Sequence, residues 1–165
     1  MELRNAQARD LDRLATIWYD GWQDAHAEIL PVELKRLRTL ESFRDRLQAA
    51  LANTRVAELS GDVVGFCILK GDELYQLFVA ASARGVGIAA ALLADAEARL
   101  AASGIGTAWL GCAIGNARAA RFYEKSGWRH CGEVVVSVET TEGPFELEIW
   151  RYEKHLGSAG AGSRP

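Results

Sequence analysis

A glycine-punctuated junction, Arg84-Gly85-Val86-Gly87-Ile88-Ala89, constrains this 165-residue chain more than any other segment. It follows an apolar run, Leu74 to Val79, that reads as a strand, and it opens an alanine- and leucine-rich stretch, Ile88 to Ala102, that reads as a helix. The helix closes at Ser103-Gly104-Ile105-Gly106 and leads into a buried strand, Thr107 to Cys112. A strand, helix, strand unit of this kind places the chain in the α/β class. At the junction the unpaired N–H groups of a helix start and the positive end of its dipole converge. Gly85 and Gly87 lack Cβ and admit an anion close to the backbone, and Ala89 and Ala90 keep the first turn thin. A phosphate cradle and a merely tight turn are both compatible with these residues.

The other elements surround this unit. Apolar residues from Asp10 to Ile29 fall on one helical face, and a second helical stretch runs from Glu33 to Asn53 with a break near Thr39 to Glu41. Its Lys35, Arg36, Arg38, Arg44 and Arg46 are expected to form a solvated face. Arg55 to Leu59 and Val63 to Lys70 read as antiparallel strands across the turn Ser60-Gly61-Asp62. Asn116 caps a helix, Ala117 to Lys125, that stops at Gly127. Strands return at Gly132 to Val138 and Glu146 to Lys154, joined through Thr140 to Pro144. The predicted order is α α β β β α β α β β. Residues 1–156 are expected to form one domain, and the Gly-, Ser- and Ala-rich 157–165 a flexible tail.

Composition narrows the function. At 49% hydrophobic residues the chain can build a core. Its apolar runs, such as Val63 to Leu69, are far shorter than the roughly 20 residues of a bilayer span. No secretory signal is read at Met1-Glu2-Leu3-Arg4-Asn5, so a cytoplasmic location without membrane contact is expected. A formal charge of -3 argues against nucleic acid as a partner. Cys67, Cys112 and Cys131 are too widely spaced for a metal or disulfide framework, and the first two sit in apolar runs as core residues.

Gly85, Gly87 and Ala90 also satisfy the dinucleotide fingerprint, but no acid follows in Thr107 to Ile114, and the preceding elements differ from a Rossmann start. A different resemblance accounts for more. Arg84, Gly87 and Ala89 fit a pyrophosphate loop written [Q/R]-x-x-G-x-[G/A]. Asn116, Phe122-Tyr123-Glu124-Lys125, Gly127 and Trp128 fit a second segment. With Leu74 to Val79 as the preceding strand, the chain resembles the GNAT superfamily of acyl-CoA-dependent N-acetyltransferases. The resemblance implies a mixed, mostly antiparallel sheet flanked by helices, with acetyl-CoA as co-substrate and no metal. It implies that Phe78 and Val79 meet the pantetheine arm, that Arg84, Gly85, Val86, Gly87, Ile88, Ala89 and Ala90 hold the pyrophosphate, and that Asn116 and Tyr123 lie along the arm and near the sulfur. The implied reaction is acetyl transfer to a primary amine, of a small molecule or a protein N-terminus, by direct attack. A non-catalytic CoA-binding regulatory module is the alternative, and a homodimer is compatible with either.

A primary amine of pKa about 10.4 is neutral about once in 2,500 at pH 7, a handicap of about 4.6 kcal/mol, so a base or water chain is required. Glu73 and Tyr75, at the start of the strand leading to the cofactor, are the candidates, and Glu73 could equally be a turn residue. The backbone at Val79 is the candidate donor to the oxyanion, and Tyr123 the candidate acid for the departing thiolate. Trp18, Tyr19 and Trp22 could line an acceptor pocket or pack the core. Asp20, Asp24 and Glu28 could attract an ammonium group or simply be solvated.

Overall fold

A computed structural model describes residues 1–157. The tail expected over 157–165 lies, beyond Gly157, outside the described residues. Seven strands form one sheet: β1 (Glu2–Asn5), β2 (Thr54–Leu59), β3 (Asp62–Lys70), β4 (Glu73–Val79), β5 (Thr107–Ala113), β6 (Arg129–Val138) and β7 (Phe145–His155). Their spatial order is β1-β2-β3-β4-β5-β7-β6, and every pairing is antiparallel except β4 with β5. The helices are α1 (Leu11–His26), α2 (Val32–Leu37), α3 (Leu40–Ala49), α4 (Ile88–Ala102) and α5 (Ala117–Lys125). The expected mixed, mostly antiparallel sheet flanked by helices is therefore present.

Two differences from the sequence expectation have identifiable causes. β1 was not anticipated, because four residues with two charges carry no apolar alternation. Its Leu3 registers with Ala57 of β2, and Arg4 turns back to donate to both oxygens of Asp10 at 2.9 and 3.0 Å and to Glu58 at 3.0 Å. The first helix ends at His26 rather than Ile29, where the chain turns into Pro31. The break in the second helical stretch falls at Arg38-Thr39, where the Thr39 hydroxyl accepts the Ser42 N–H at 3.1 Å and starts α3.

The sheet buries a core on each face. One contains Leu92, Leu93 and Ala96 of α4 with Cys67, Leu110 and Tyr152, and the other contains Leu14 and Trp18 of α1 with Phe43, Leu47 and Phe66. Cys67 and Cys112 are buried, as their apolar neighbours imply. Gly21 lets α1 approach β4: a Cβ there would lie 2.5 Å from a Phe78 ring carbon. The ring is rigid, so Gly21→Ala should cost about 1–3 kcal/mol despite alanine's better helix propensity. A urea midpoint at or above the wild-type value would refute this.

Candidate active site

The sheet opens where its single parallel pair begins. Glu73 registers with Trp109, and Asp72 fastens the two strands at that level by accepting the Trp109 backbone N–H at 3.2 Å and its indole N–H at 3.0 Å. No ladder joins β4 to β5 beyond this point. On its other side β4 carries a bulge: Ile68 of β3 registers with Gln76 and Leu69 with Leu74, which leaves Tyr75 as the extra residue at the level where the β4–β5 ladder ends. The freed edge has a readable polarity. Ala80 donates its N–H to Val64 of β3 at 2.8 Å, and the two-residue alternation of a strand then turns the backbone groups of Val79 and Leu77 toward the gap.

A cavity of about 340 Å³ occupies one face of the gap, lined by Phe78, Val79, Arg84, Ala89, Asn116 and Tyr123 among others. A second, of about 390 Å³, occupies the other face, lined by Trp18, Trp22, Arg38, Glu73 and Trp109 among others. Both are bordered by His26, Tyr75, Gln76, Gly111 and Ala113, so they meet through the opening between β4 and β5.

The glycine junction lies at the mouth of the first cavity. Gly85 and Gly87 have φ of +83° and +87°, which side chains other than glycine's rarely adopt, and a Cβ on either would meet only open space. Gly87 starts α4 without a side-chain cap, so the first-turn N–H groups point to solvent. Arg84 and Arg118 converge on one carboxylate oxygen of Asp24, at 3.1 and 3.4 Å. The hydrogen bond and charge of Arg84, helped by Arg118, hold Asp24 below the usual carboxylate range. Gly85, Val86, Gly87 and Ala90 are exposed and lie outside the cavity lining, while the Ile88 side chain is buried in the core and leaves only its N–H for a ligand.

Asn116 caps α5, accepting the Ala119 N–H at 3.3 Å, while it also borders the cavity. Tyr123 is 9% exposed and packs edge-on against Phe122 and Trp128. Its burial pushes the phenol well above its ordinary value, so it keeps its proton throughout the neutral range. Burial likewise holds the Cys67 and Cys112 thiols up at about 12 and about 11. Glu73 faces the second cavity, where burial raises its carboxyl to about 7 against the opposing charges of Lys70 and Arg151. Tyr75 borders both cavities, and its hydroxyl accepts a hydrogen bond from Arg46 at 2.6 Å.

Several sequence expectations change here. Asp20, Asp24 and Glu28 are exposed and line neither cavity, and Asp24 is engaged by Arg84 and Arg118. Trp18 and Trp22 both pack the core and line the second cavity, while Tyr19 lines neither. Arg38 and Arg46 are not on a solvated face: both border the second cavity. His26 was missed, although it continues the row Trp18, Trp22 at the next i+4 step. Burial, with the Arg38 charge, lowers it to about 4, and its Nδ1 has no partner.

A glycine-opened helix start beside a parted parallel strand pair is the frame that the sequence resemblance implies, and comparison with known proteins agrees. The sequence profile of the acetyltransferase (GNAT) family matches residues 11–128, and this chain belongs to that family of acyltransferases. An uncharacterised N-acetyltransferase of Mycobacterium bovis is 34% identical over 108 residues, covering 62% of this chain and 67% of the relative. A GCN5-related N-acetyltransferase from Rhodopseudomonas palustris superposes with a TM-score of 0.75 at 24% identity, over 94% of this chain and 95% of its own. YncA from Salmonella typhimurium, solved with its cofactor acetyl-CoA, superposes with a TM-score of 0.66 at 15% identity, over 94% of each chain. At these identities the two structures bear on the fold alone. Among the described residues no helix is long and apolar enough to cross a membrane.

Proposed function

We propose that this protein transfers the acetyl group of acetyl-CoA directly to a primary amine, with the donor in the first cavity and the acceptor in the second. The observation that carries this reading is the meeting of two cavities from opposite sheet faces at one opening, bordered by a free strand edge. The first-turn N–H groups of α4 and the charge of Arg84 would receive the pyrophosphate. Val79 and Leu77 would align the pantetheine arm along β4 as an added strand, whereas Phe78, whose backbone faces β3, would meet the arm only as part of the cavity wall, with Asn116 on its far side.

The chemistry then follows from the groups present. Glu73, half ionised near pH 7, takes a proton from the incoming ammonium through bridging water, because six strand residues at about 3.3 Å each separate it from Val79. The amine nitrogen attacks the thioester carbon, and the Val79 N–H stabilises the oxyanion. Collapse breaks the C–S bond while the Tyr123 hydroxyl donates a hydrogen bond to the departing sulfur, which then takes its proton from solvent. The nitrogen loses two protons in all, one replaced on the thiol and one released to solvent. The raised Cys67 and Cys112 thiols are poor nucleophiles at neutral pH, which favours direct transfer over an acetyl-enzyme.

The test is a thermal-shift titration with acetyl-CoA, CoA and NADPH, followed by thiol-release assays over a panel of amines. A ligand at 100 times its Kd adds about 2.7 kcal/mol of stability. Stabilisation by both CoA species but not NADPH, with thiol release, is expected. Stabilisation without turnover on any amine would favour a regulatory module, and no response to millimolar CoA would overturn the cofactor assignment.

A further inference from the structure

The second cavity holds more buried positive charge than amine acetylation requires. Arg38, at the α2–α3 break, is 4% exposed. Its Nη1 donates to the Glu139 carbonyl at 2.6 Å, and no carboxylate lies within ion-pairing distance of it among the described residues. Arg46 enters from α3. Its guanidinium lies 4.4 Å from the Trp18 ring centroid, Nη2 donates to the Tyr75 hydroxyl, and Nε is buried without a partner. Arg46 too has no carboxylate partner among the described residues. The two guanidinium groups are close enough for the charge of Arg46, added to burial, to lower Arg38 to about 10, and Arg38 in turn depresses His26.

The acids around the cavity do not balance these two charges, and Lys70 adds a third cation to the lining. Glu139 turns outward to Lys70, 3.8 Å away, with its side chain 74% exposed. Glu73 is only half ionised near neutral pH. Burying unpaired guanidinium groups is unfavourable unless an anion accompanies them, and the planar fork of arginine suits a carboxylate held by two parallel hydrogen bonds. The other walls are apolar, with Trp22, Leu30, Leu34 and Ile149, and the volume of about 390 Å³ suits a molecule of amino-acid size.

We propose that the acceptor is an amine that also carries a carboxylate, held by Arg38 and Arg46, with its apolar portion against Trp22 and Leu34 and its nitrogen at the opening beside Gln76. The amine part rests on the acetyl-transfer reading, whereas the carboxylate site does not. Amines bearing only positive charge, such as polyamines, would be repelled by the same arginines.

Two measurements separate these parts. Calorimetry on the full chain compares 3-phenylpropanoate with 3-phenylpropanamide, which have the same shape and no amine. The carboxylate should bind at least about tenfold more tightly, and Arg38→Gln should erase the difference. Acetyl-transfer kinetics compare phenylalanine with phenethylamine. Phenylalanine should have the higher kcat/KM, and Arg38→Gln should raise its KM about tenfold more than that of phenethylamine. Arg38 also ties the α2–α3 break to Glu139, so Arg46→Lys, which keeps charge but loses the fork, serves as a second variant whose folding is checked by its acetyl-CoA thermal shift. Equal binding of acid and amide, or phenethylamine as the better acceptor, would overturn the proposal while leaving acetyl transfer standing. Carboxylate binding without acetylation of any amine would keep the anion site and remove the acetyl-transfer reading.

Discussion

Glu73→Gln is expected to lower kcat for amine acetylation by about 10²- to 10⁴-fold, the range for loss of a positioned general base. The geometry behind this is the last rung of the sheet: Glu73 registers with Trp109 where β4 and β5 are still held together, and it faces the second cavity just before they part. Burial lifts its carboxyl to about 7, which matches the task of accepting a proton near neutrality. The wild-type rate should therefore rise with pH through about 7 as Glu73 ionises. In Glu73→Gln that limb should vanish, leaving only the rise that follows ionisation of the amine itself. A purely structural glutamate would not move the pH profile.

Stability gives an independent reading with the opposite sign. The folded-state pKa of Glu73 lies above its ordinary 4.5, so its contribution to stability is full below about pH 4.5 and is lost as pH rises through about 7. Gln at this position should make the protein more stable than wild type at pH 8 by about 1–2 kcal/mol, after allowance for solvent screening, and the gain should shrink toward pH 4.5. Urea titrations at the two pH values test this. A variant that keeps the rate and the limb would move the base elsewhere, with His26 the next neutral group at the opening.

The legible parts of the fold are those whose signal is local. Gly85 and Gly87 marked a turn or cradle and both take positive φ, and the Ala- and Leu-rich run after them became α4 with the expected boundaries. β1 was not legible because its strand character comes from pairing with β2, 50 residues and more away, and from Arg4 reaching Asp10 and Glu58. The bulge at Tyr75 was hidden for a related reason. It is a mismatch of register between two strands, and nothing in Leu74-Tyr75-Gln76 by itself records which residue has no partner.

At the site, the glycine junction was legible and the residues that shape the second cavity mostly were not. The junction depends on backbone conformation, which glycine reports directly. The second cavity depends on which way long side chains point. Counting Arg as polar placed Arg38 and Arg46 outside, yet Arg46 follows Phe43 at i+3 and neighbours Leu47, on the flank of the helix face that packs the core. Its stem can run along the Trp18 ring while its head reaches Tyr75. Arg38 sits where α2 breaks, and a helical period does not predict direction across a break.

Tyr123→Phe is expected to lower kcat by about 10- to 100-fold with the KM for acetyl-CoA changed by less than about threefold. The departing thiolate has a reference pKa near 8.5 and a free phenol one near 10, so full proton transfer is uphill even before the protein acts. Burial of Tyr123 raises the phenol further and makes complete transfer less favourable still. The same burial guarantees that the hydroxyl carries its proton throughout the neutral range. Its role is then to donate a hydrogen bond to sulfur as negative charge develops there, which is strongest in the transition state and weak toward the neutral thioester. That asymmetry is why kcat should fall while acetyl-CoA affinity holds. It also means that the pH–rate profile of the variant should keep the limb near 7 that belongs to Glu73. Replacing acetyl-CoA with an acetyl thioester of a less basic thiol, with the same amine acceptor, should recover part of the loss, because such a sulfur needs less help. Loss of acetyl-CoA binding in step with kcat would instead make Tyr123 a packing residue, held between Phe122, Trp128 and Tyr152.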